Sequence, residues 1–428
     1  MINIFKILVL FFFSSKCFAL SIDNSVKGVI ENNPKVKIAI EKLKESKELI
    51  NYAVGYKLPL ITSSISGKYS NSETNTLTSS TSPEIFTDEY KITITQNIYD
   101  FGFNNLEIER SKILFNSELI QFKITIQNLI MDAINGYLTV INYEKSLEAT
   151  IKNYDSVFKA LEESRTRFDI GSATLYDLQN AEASYALAKT NVYAAEQNLI
   201  ISKKTFERIV GLSPSDLNES IKINQSINLN KIIEKAMINN LNLNLISNDI
   251  KNKEILILKE KKSKKPSLDI VGIGLYSNGS RLENGTNNTN GSISLNLTIP
   301  LYQKNQDNSN IRKYNSQLLQ AKFELEDYKY DLQILISNTF KDFKINKSQM
   351  ESNLIIIKSI QTALNSLIEE YNMGTKTISE LIEQEEKLLD AKVNFLNSNK
   401  KNLLNYFTLK SLDGTLINLF ENYLPSHN

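Results

Sequence analysis

Arg167 to Leu178 reads RFDIGSATLYDL, and Glu370 to Leu381 reads EYNMGTKTISEL. Set one above the other, the two stretches pair Phe168 with Tyr371, Gly171 with Gly374, Thr174 with Thr377 and Asp177 with Glu380, each pair 203 positions apart. The same offset joins Tyr99 to Tyr302, Glu182 to Glu385, Ala188 to Ala391, Asn191 to Asn394 and Gly211 to Gly414, so the register runs without a gap from Tyr99 to Gly211. A duplication of this length decides the architecture before any single motif does, because both copies must fold into the same unit. Ahead of that stretch the offset is 207, pairing Asn33 with Asn240 and Pro59 with Pro266. The first copy therefore holds four more residues between its proline and Tyr99, which places a loop there.

Within each copy the elements follow one order. Asn33 and Pro34 read as an N-cap and a first helical residue, and the helical pattern lasts until GYKLP at Gly55 to Pro59. A β-hairpin follows, with strands expected at about 60–70 and 89–98 in the first copy and at about 267–277 and 291–300 in the second. Tyr90, Ile92 and Ile94 alternate with Lys91, Thr93 and Thr95, and Ile293, Leu295, Leu297 and Ile299 alternate with Ser292, Ser294, Asn296 and Thr298, the mark of a strand with one wet face. The partner strands are less clear, since Leu60 to Tyr69 carries Ile61, Ile65 and Tyr69 on one side while Ser267 to Tyr276 has mixed phase through Gly272 and Gly274, so their faces stay open at this stage. Polar stretches from Asn71 to Asp88 and from Asn278 to Asn290 read as exposed loops.

Long helices are expected over 103–162 and 306–368, the first roughly 90 Å at 1.5 Å per residue, and shorter ones over 174–210 and 377–410. Leu147, Ile151, Tyr154, Phe158 and Leu161 recur at spacings of four and three, and Leu178, Ala181, Tyr185, Ala188, Val192, Ala195 and Leu199 do the same, so the helices pair through coiled-coil seams. The whole divides into a first repeat (20–211), a link (212–229), a second repeat (230–414) and a tail (415–428).

Residues 1–19 read as a signal peptide: Lys6 precedes an apolar run from Ile7 to Phe13, and Ala19 ends a cleavage-like site. Lys16 stands where a lipoprotein signal would need a small residue before Cys17, which argues against acylation and puts the one cysteine in the discarded peptide. The chain carries 49 Lys plus Arg against 48 Asp plus Glu, so no net field points to nucleic acid. The one histidine, His427, is next to the C-terminus, and no glycine-rich phosphate loop of the GxxxxGK kind is present, so the sequence suggests neither an enzyme nor a cofactor. Beyond the signal no apolar run nears the roughly 20 residues of a membrane helix, whereas strands of about ten residues match a tilted barrel wall. Four strands cannot close a barrel, because open edges in lipid have no water to satisfy them, so several chains must contribute.

With its signal peptide, its duplicated helix, hairpin and long helix, and its paired aromatic-xx-Gly-xx-Thr-xx-acid motifs, the chain resembles the TolC-type outer-membrane efflux proteins over almost its whole length. The resemblance implies a mainly α fold with a membrane β-barrel contribution: a long helical coiled-coil barrel, and four strands per protomer in a shared twelve-stranded trimeric barrel. It further implies a homotrimer embedded in outer-membrane lipid, which meets a periplasmic adaptor and an inner-membrane transporter and conducts drugs or secreted proteins outward. The competing reading is a periplasmic coiled-coil adaptor without a pore, which should show one hairpin between compact β domains.

On that resemblance the glycine turns are the periplasmic tips, and Phe168, Ile170, Gly171, Thr174, Met373, Gly374 and Thr377 are the candidates for adaptor docking. Asp177, Tyr371, Lys376 and Glu380 match positions that bond helices at the closed gate, and Glu383 matches an acid facing the lumen, where three copies would form a ring. Asp177 and Glu380 also fit as ordinary first-turn acids that favour the helix dipole. The family often has Arg and Asp where this chain has Lys376 and Glu380, and a lysine cannot make the same two-pronged contact, so a looser lock is expected.

Overall fold

The computed structural model describes residues 20–424 except 72–73, 77–78, 82–83, 220, 222, 224–226 and 282–285. The signal peptide, Cys17 and His427 lie outside the described residues, as do parts of both loops and of the link. In chain order the elements are α1 (Ile22–Asn32), α2 (Pro34–Gly55), β1 (Leu60–Asn71), β2 (Thr74–Thr76), β3 (Ser79–Thr81), β4 (Glu84–Tyr99), α3 (Phe103–Asp169), α4 (Leu175–Val210), α5 (Leu229–Asn239), α6 (Leu241–Lys262), β5 (Ser267–Arg281), β6 (Thr286–Thr298), α7 (Gln306–Asn372) and α8 (Ile378–Leu412), with a 3-10 helix at Ile417–Tyr423. α3 and α7 are both 67 residues long. α3 runs past its last seam residue, Leu161, to the glycine turn, with ion pairs such as Arg167 to Glu163 at 2.9 Å supporting that end.

Two compact units divide the chain. The first contains residues up to Ile38, Lys123–Asn240 and the residues from Tyr330 onward. Its centre is apolar and closely packed: Ile130, Ile134 and Tyr137 of α3, Phe206 and Val210 of α4, and Ile336 of α7 are all fully buried. The duplicated asparagines do the same work in both copies. Asn33 Nδ2 donates to the Ile209 carbonyl at 2.9 Å, and Asn240 Nδ2 donates to the Leu412 carbonyl at 3.0 Å. Each amide breaks a helix and ties the break to the end of the opposing hairpin helix, satisfying a carbonyl that helix termini leave free. This is why α1 and α5 exist as separate helices, and the first break falls where Asn33 and Pro34 place a helix start. The tail is not loose either, since Leu416, Ile417 and Phe420 are buried in this core.

The second unit, Ala39–Phe122 with Leu241–Lys329, carries the sheet. Its four main strands run in the order β1-β4-β5-β6, all antiparallel. The ladder extends well past the expected strand ends, β4 starting at Glu84 and β5 running to Arg281, because polar Ser, Thr and Asn residues outside an apolar zone still pair through their backbones. At the other end β6 stops at Thr298, just ahead of Pro300, which has no N–H to offer a ladder.

The register assigns the faces that sequence alone left open. Ile61 pairs with Ile94, Ile94 with Gly272 and Gly272 with Ile293, and one step along Ile65 pairs with Tyr90 and Tyr90 with Tyr276. Direct partners share a face. One face therefore carries Ile61, Ile65, Tyr90, Ile92, Ile94, Ile293, Leu295 and Leu297, all exposed, and the Tyr90 and Tyr276 rings stand 6.1 Å apart on it. The opposite face carries Thr62, Ser64, Lys91, Thr93, Ser292 and Ser294, interrupted by Val271, Ile273 and Leu275 of β5, the source of the mixed phase. No helix among the described residues is long and apolar enough to cross a membrane.

Candidate functional site at the hairpin tips

The chain reverses between α3 and α4, and again between α7 and α8, by the same turn. Gly171 has φ +76° and Gly374 φ +77°, a region open to glycine without penalty. Gly171 N–H donates to the Phe168 carbonyl at 2.9 Å and Ser172 N–H to the Arg167 carbonyl at 2.8 Å; Gly374 N–H donates to Tyr371 and Thr375 N–H to Glu370, both at 3.0 Å. These bonds close the helix ends in a Schellman-like arrangement. Each following helix opens on a threonine N-cap, Thr174 accepting from Asp177 N–H at 3.1 Å and Thr377 from Glu380 N–H at 3.3 Å.

Equal turns carry unequal chemistry. Glu380 completes a capping box, its carboxylate accepting from Thr377 N–H at 2.9 Å. The ammonium of Lys376, one residue before the cap, lies 2.8 Å from the same carboxylate and holds it below the ordinary glutamate range. Asp177 has a shorter side chain and points elsewhere: it accepts from the Thr174 hydroxyl at 2.7 Å and, across to the second hairpin, from the Ser379 hydroxyl at 3.2 Å.

Tyr371 makes the second tie between hairpins. Its ring is 3 % exposed, packs with Val157, Leu161, Ala181, Ile378 and Ile382, and lies 4.2 Å beneath the Arg167 guanidinium. Burial pushes its hydroxyl up to about 12, with the Glu163 charge adding to the effect. The structure thus brings Asp177 and Tyr371 into contacts between the two hairpins. The ammonium of Lys376 is engaged within its own hairpin. Glu383 is exposed one turn further on, paired with Lys387 at 2.7 Å.

Arg167 and Ser379 were not among the residues singled out from sequence. The signal for Arg167 was present, since the duplicated motif sets it against Glu370, a charge reversal that the turn does not require. Ile170 and Met373 are more than 70 % exposed at the tips, and Leu175 and Tyr176 add two more exposed side chains beside the first turn.

A profile of the outer membrane efflux protein family matches residues 26–212, the first copy, to which the second is joined by the unbroken 203-residue register. The first copy of the chain matches the outer membrane efflux protein family. Among its curated relatives, outer membrane protein TolC of Salmonella enteritidis is 24% identical over 305 residues, 68% of this chain and 62% of the relative, so the chain spans a little under two thirds of that protein's length. TolC of Escherichia coli (strain K12) is 23% identical over 341 residues, covering 76% of this chain and 68% of the relative. Solved structures share the fold: the Campylobacter jejuni CmeC outer membrane channel superposes with a TM-score of 0.77 at 14% identity, over 94% of this chain and 90% of CmeC. A membrane protein from Pseudomonas aeruginosa gives 0.80 at 11% identity, over 92% and 90% of the two chains. The mainly helical fold with four antiparallel strands is therefore that of these solved outer membrane channels.

Two neighbouring carboxylates of α8 give the helical unit a pH dependence. Glu385 of α8 sits between Ile382 and Leu388 on a cavity of about 200 Å³ that also exposes Asn153, whose amide nitrogen has no protein partner. Burial raises the Glu385 carboxyl above its ordinary value, against the Ser156 hydroxyl and Lys392, and burial with Asp390 and Glu383 raises Glu386 likewise. A raised acid binds its proton more tightly when the helices are packed, so the contribution of these two groups to packing is greatest at low pH and is lost as pH rises through their raised values, opposite in sign to that of Glu107, Glu148, Glu207 and Glu380, which are lowered. Glu385→Gln should raise the melting temperature near neutral pH, and Glu385→Gln with Glu386→Gln should leave the protein gaining less, or losing more, stability on acidification than the wild type. Melts followed by circular dichroism from neutral to acidic pH check both, and an unchanged pH profile in the double variant contradicts the assignment.

Proposed function

We propose that three copies of this chain close one twelve-stranded barrel in the outer membrane and serve as the exit duct of a tripartite efflux or type I secretion assembly. The observation that carries this reading is the sheet. Its two outer strands, β1 with 12 residues and β6 with 13, each present an edge with no partner strand among the described residues, next to a face of exposed Ile, Leu and Tyr. An apolar face belongs in lipid, and in lipid every backbone group must be paired, so β1 of one copy has to meet β6 of the next. The exposed apolar side chains at the tips, Phe168, Ile170 and Met373 around Gly171 and Gly374, with Thr174 and Thr377 fixing the helices behind them, form the surface for a periplasmic adaptor that links the duct to an inner-membrane transporter. Asp177, Tyr371, Lys376, Glu380 and Glu383 form the periplasmic gate.

Conductance of the purified protein in planar bilayers tests the reading: discrete channels are expected, and a protein that never conducts is a scaffold. The gate has its own measurement. Glu383→Ala should weaken block by multivalent cations added on the periplasmic side, as acidic rings attract cations. Because Lys387 neutralises part of that ring, Lys387→Gln should strengthen the block. Block that ignores both substitutions removes Glu383 from the constriction.

A further inference from the structure

We propose that Lys261, Lys262 and Lys265, at the end of α6 and in the corner that leads into β5, bind the phosphates of anionic phospholipid at the helix-side rim of the sheet. The proposal rests on the reading of the sheet as a membrane wall and adds to it a lipid class.

The segment Lys259 to Pro266, KEKKSKKP, contains five lysines and ends one residue before β5. Two of them are held. Lys259 pairs with Glu107 at 2.5 Å and lies 4.8 Å from the Phe103 ring centre, and Lys264 donates to Asn308. Lys261, Lys262 and Lys265 have no ion pair among the described residues, and Lys261 and Lys265 are exposed. The two anchored lysines fix the corner, so the free ammonium groups stay at the rim.

The duplication supplies an internal control. At the 207 offset, Lys261, Lys262 and Lys265 fall on Val54, Gly55 and Leu58 of the first copy, whereas Lys264 falls on Lys57. Helix end, corner and strand start form equally well there, and α2 has no basic residue in its last turn, so neither the turn nor the helix dipole requires the three charges. They meet a need outside the fold of the corner.

The neighbourhood indicates which need. The Tyr99 and Phe101 ring centres lie 4.7 Å apart, tilted, at the end of β4, Leu301 and Tyr302 follow β6 with more than three quarters of their surface exposed, and Tyr52 and Tyr56 meet edge to face ahead of β1. Exposed aromatic rings at the end of an apolar sheet face sit at headgroup depth in a bilayer, where lysine stems lie along the apolar surface and their ammonium groups reach phosphate. Free phosphate offers the same anion without the acyl chains that the rings would cover, so lipid is the better fit.

The test is lipid retention by the full chain. The wild type and K261Q/K262Q/K265Q are reconstituted in nanodiscs of mixed phosphatidylcholine and phosphatidylglycerol, and the lipids kept after release are counted by native mass spectrometry. The wild type should retain phosphatidylglycerol several-fold over its share of the mixture, the preference should fall with added salt, and the variant should return to parity. Equal enrichment in the variant overturns the proposal, as does loss of wild-type enrichment when millimolar inorganic phosphate is added, which would mark a site for free phosphate. Bilayer conductance of both proteins separates the two readings: channels with no lipid preference sink the lysine rim alone, whereas no channels from either protein sink the duct.

Discussion

Tyr371→Ala is expected to lower stability by about 3–5 kcal/mol, the usual cost of emptying a buried aromatic site, and to leave the channel open. The ring is almost fully buried among residues of both hairpins, and it is also the surface on which the Arg167 guanidinium rests at 4.2 Å. Its removal therefore leaves a cavity and an unsupported cation at the same point, while Arg167 keeps its ion pair to Glu163 at 2.9 Å within α3. What is lost is specifically the attachment of one hairpin to the other. The polar tie between the two tips, Ser379 to Asp177 at 3.2 Å, is a single hydrogen bond, and such bonds contribute only about 0.5–1.5 kcal/mol. Tyr371→Phe keeps the ring and should behave nearly as the wild type. Bilayer recordings of the two variants, with melting curves on the same preparations, check this: long-lived open channels are expected from Tyr371→Ala, and wild-type gating in that variant would show that the ring does not hold the tips together.

Gly414→Ala should prevent stable folding, whereas Gly374→Ala should cost only about 1–2 kcal/mol, the penalty for a side chain in left-handed backbone. The two glycines have nearly equal dihedrals, φ +74° and +77°. Their surroundings differ. A Cβ on Gly414 would lie inside van der Waals contact of the Asn239 carbonyl, a backbone atom at the end of α5, while a Cβ on Gly374 meets nothing within 4 Å. Neither the Asn239 peptide nor the adjacent Asn240 can move aside easily, because the Asn240 amide is bonded to the Leu412 carbonyl. Gly374 is therefore the position at which bulk probes function alone: Gly374→Trp should give a folded assembly that no longer exports. Yields and melts for the two alanine variants, and export for the tryptophan variant, are the measurements. Equal melts at the two positions would contradict the packing argument, and normal export with Gly374→Trp would contradict docking at this tip.

The turns, caps and seams were legible because each rests on local chemistry that repeats. A glycine, a threonine three residues on and an acid three further specify a left-handed turn and an N-cap wherever they occur, and the second copy removes the ambiguity of the first. The alternation of β4 and β6 was legible, but the faces of their partners β1 and β5 were left open. Val271, Ile273 and Leu275 put apolar side chains on the polar face, so β5 shows no clean period, and only its pairing with Ile94 and Ile293 fixes its phase. The contacts between the hairpin tips were legible in part. Asp177 and Tyr371 do reach across to the other hairpin, but their partners Ser379 and Arg167 lie far from them along the chain. Which groups meet across a coiled-coil seam depends on the stagger of two long helices, and a single sequence does not encode that stagger in any short motif.

The bare edges of β1 and β6 have a consequence for how the cell makes this protein. If each edge is completed only by another copy, a lone protomer has no stable form in lipid, and membrane insertion becomes inseparable from meeting two siblings. Biogenesis then depends steeply on local chain concentration, and a defective protomer that pairs along one edge but not the other stalls two sound ones, so a minority of damaged chains would silence most of the channels in a mixed population.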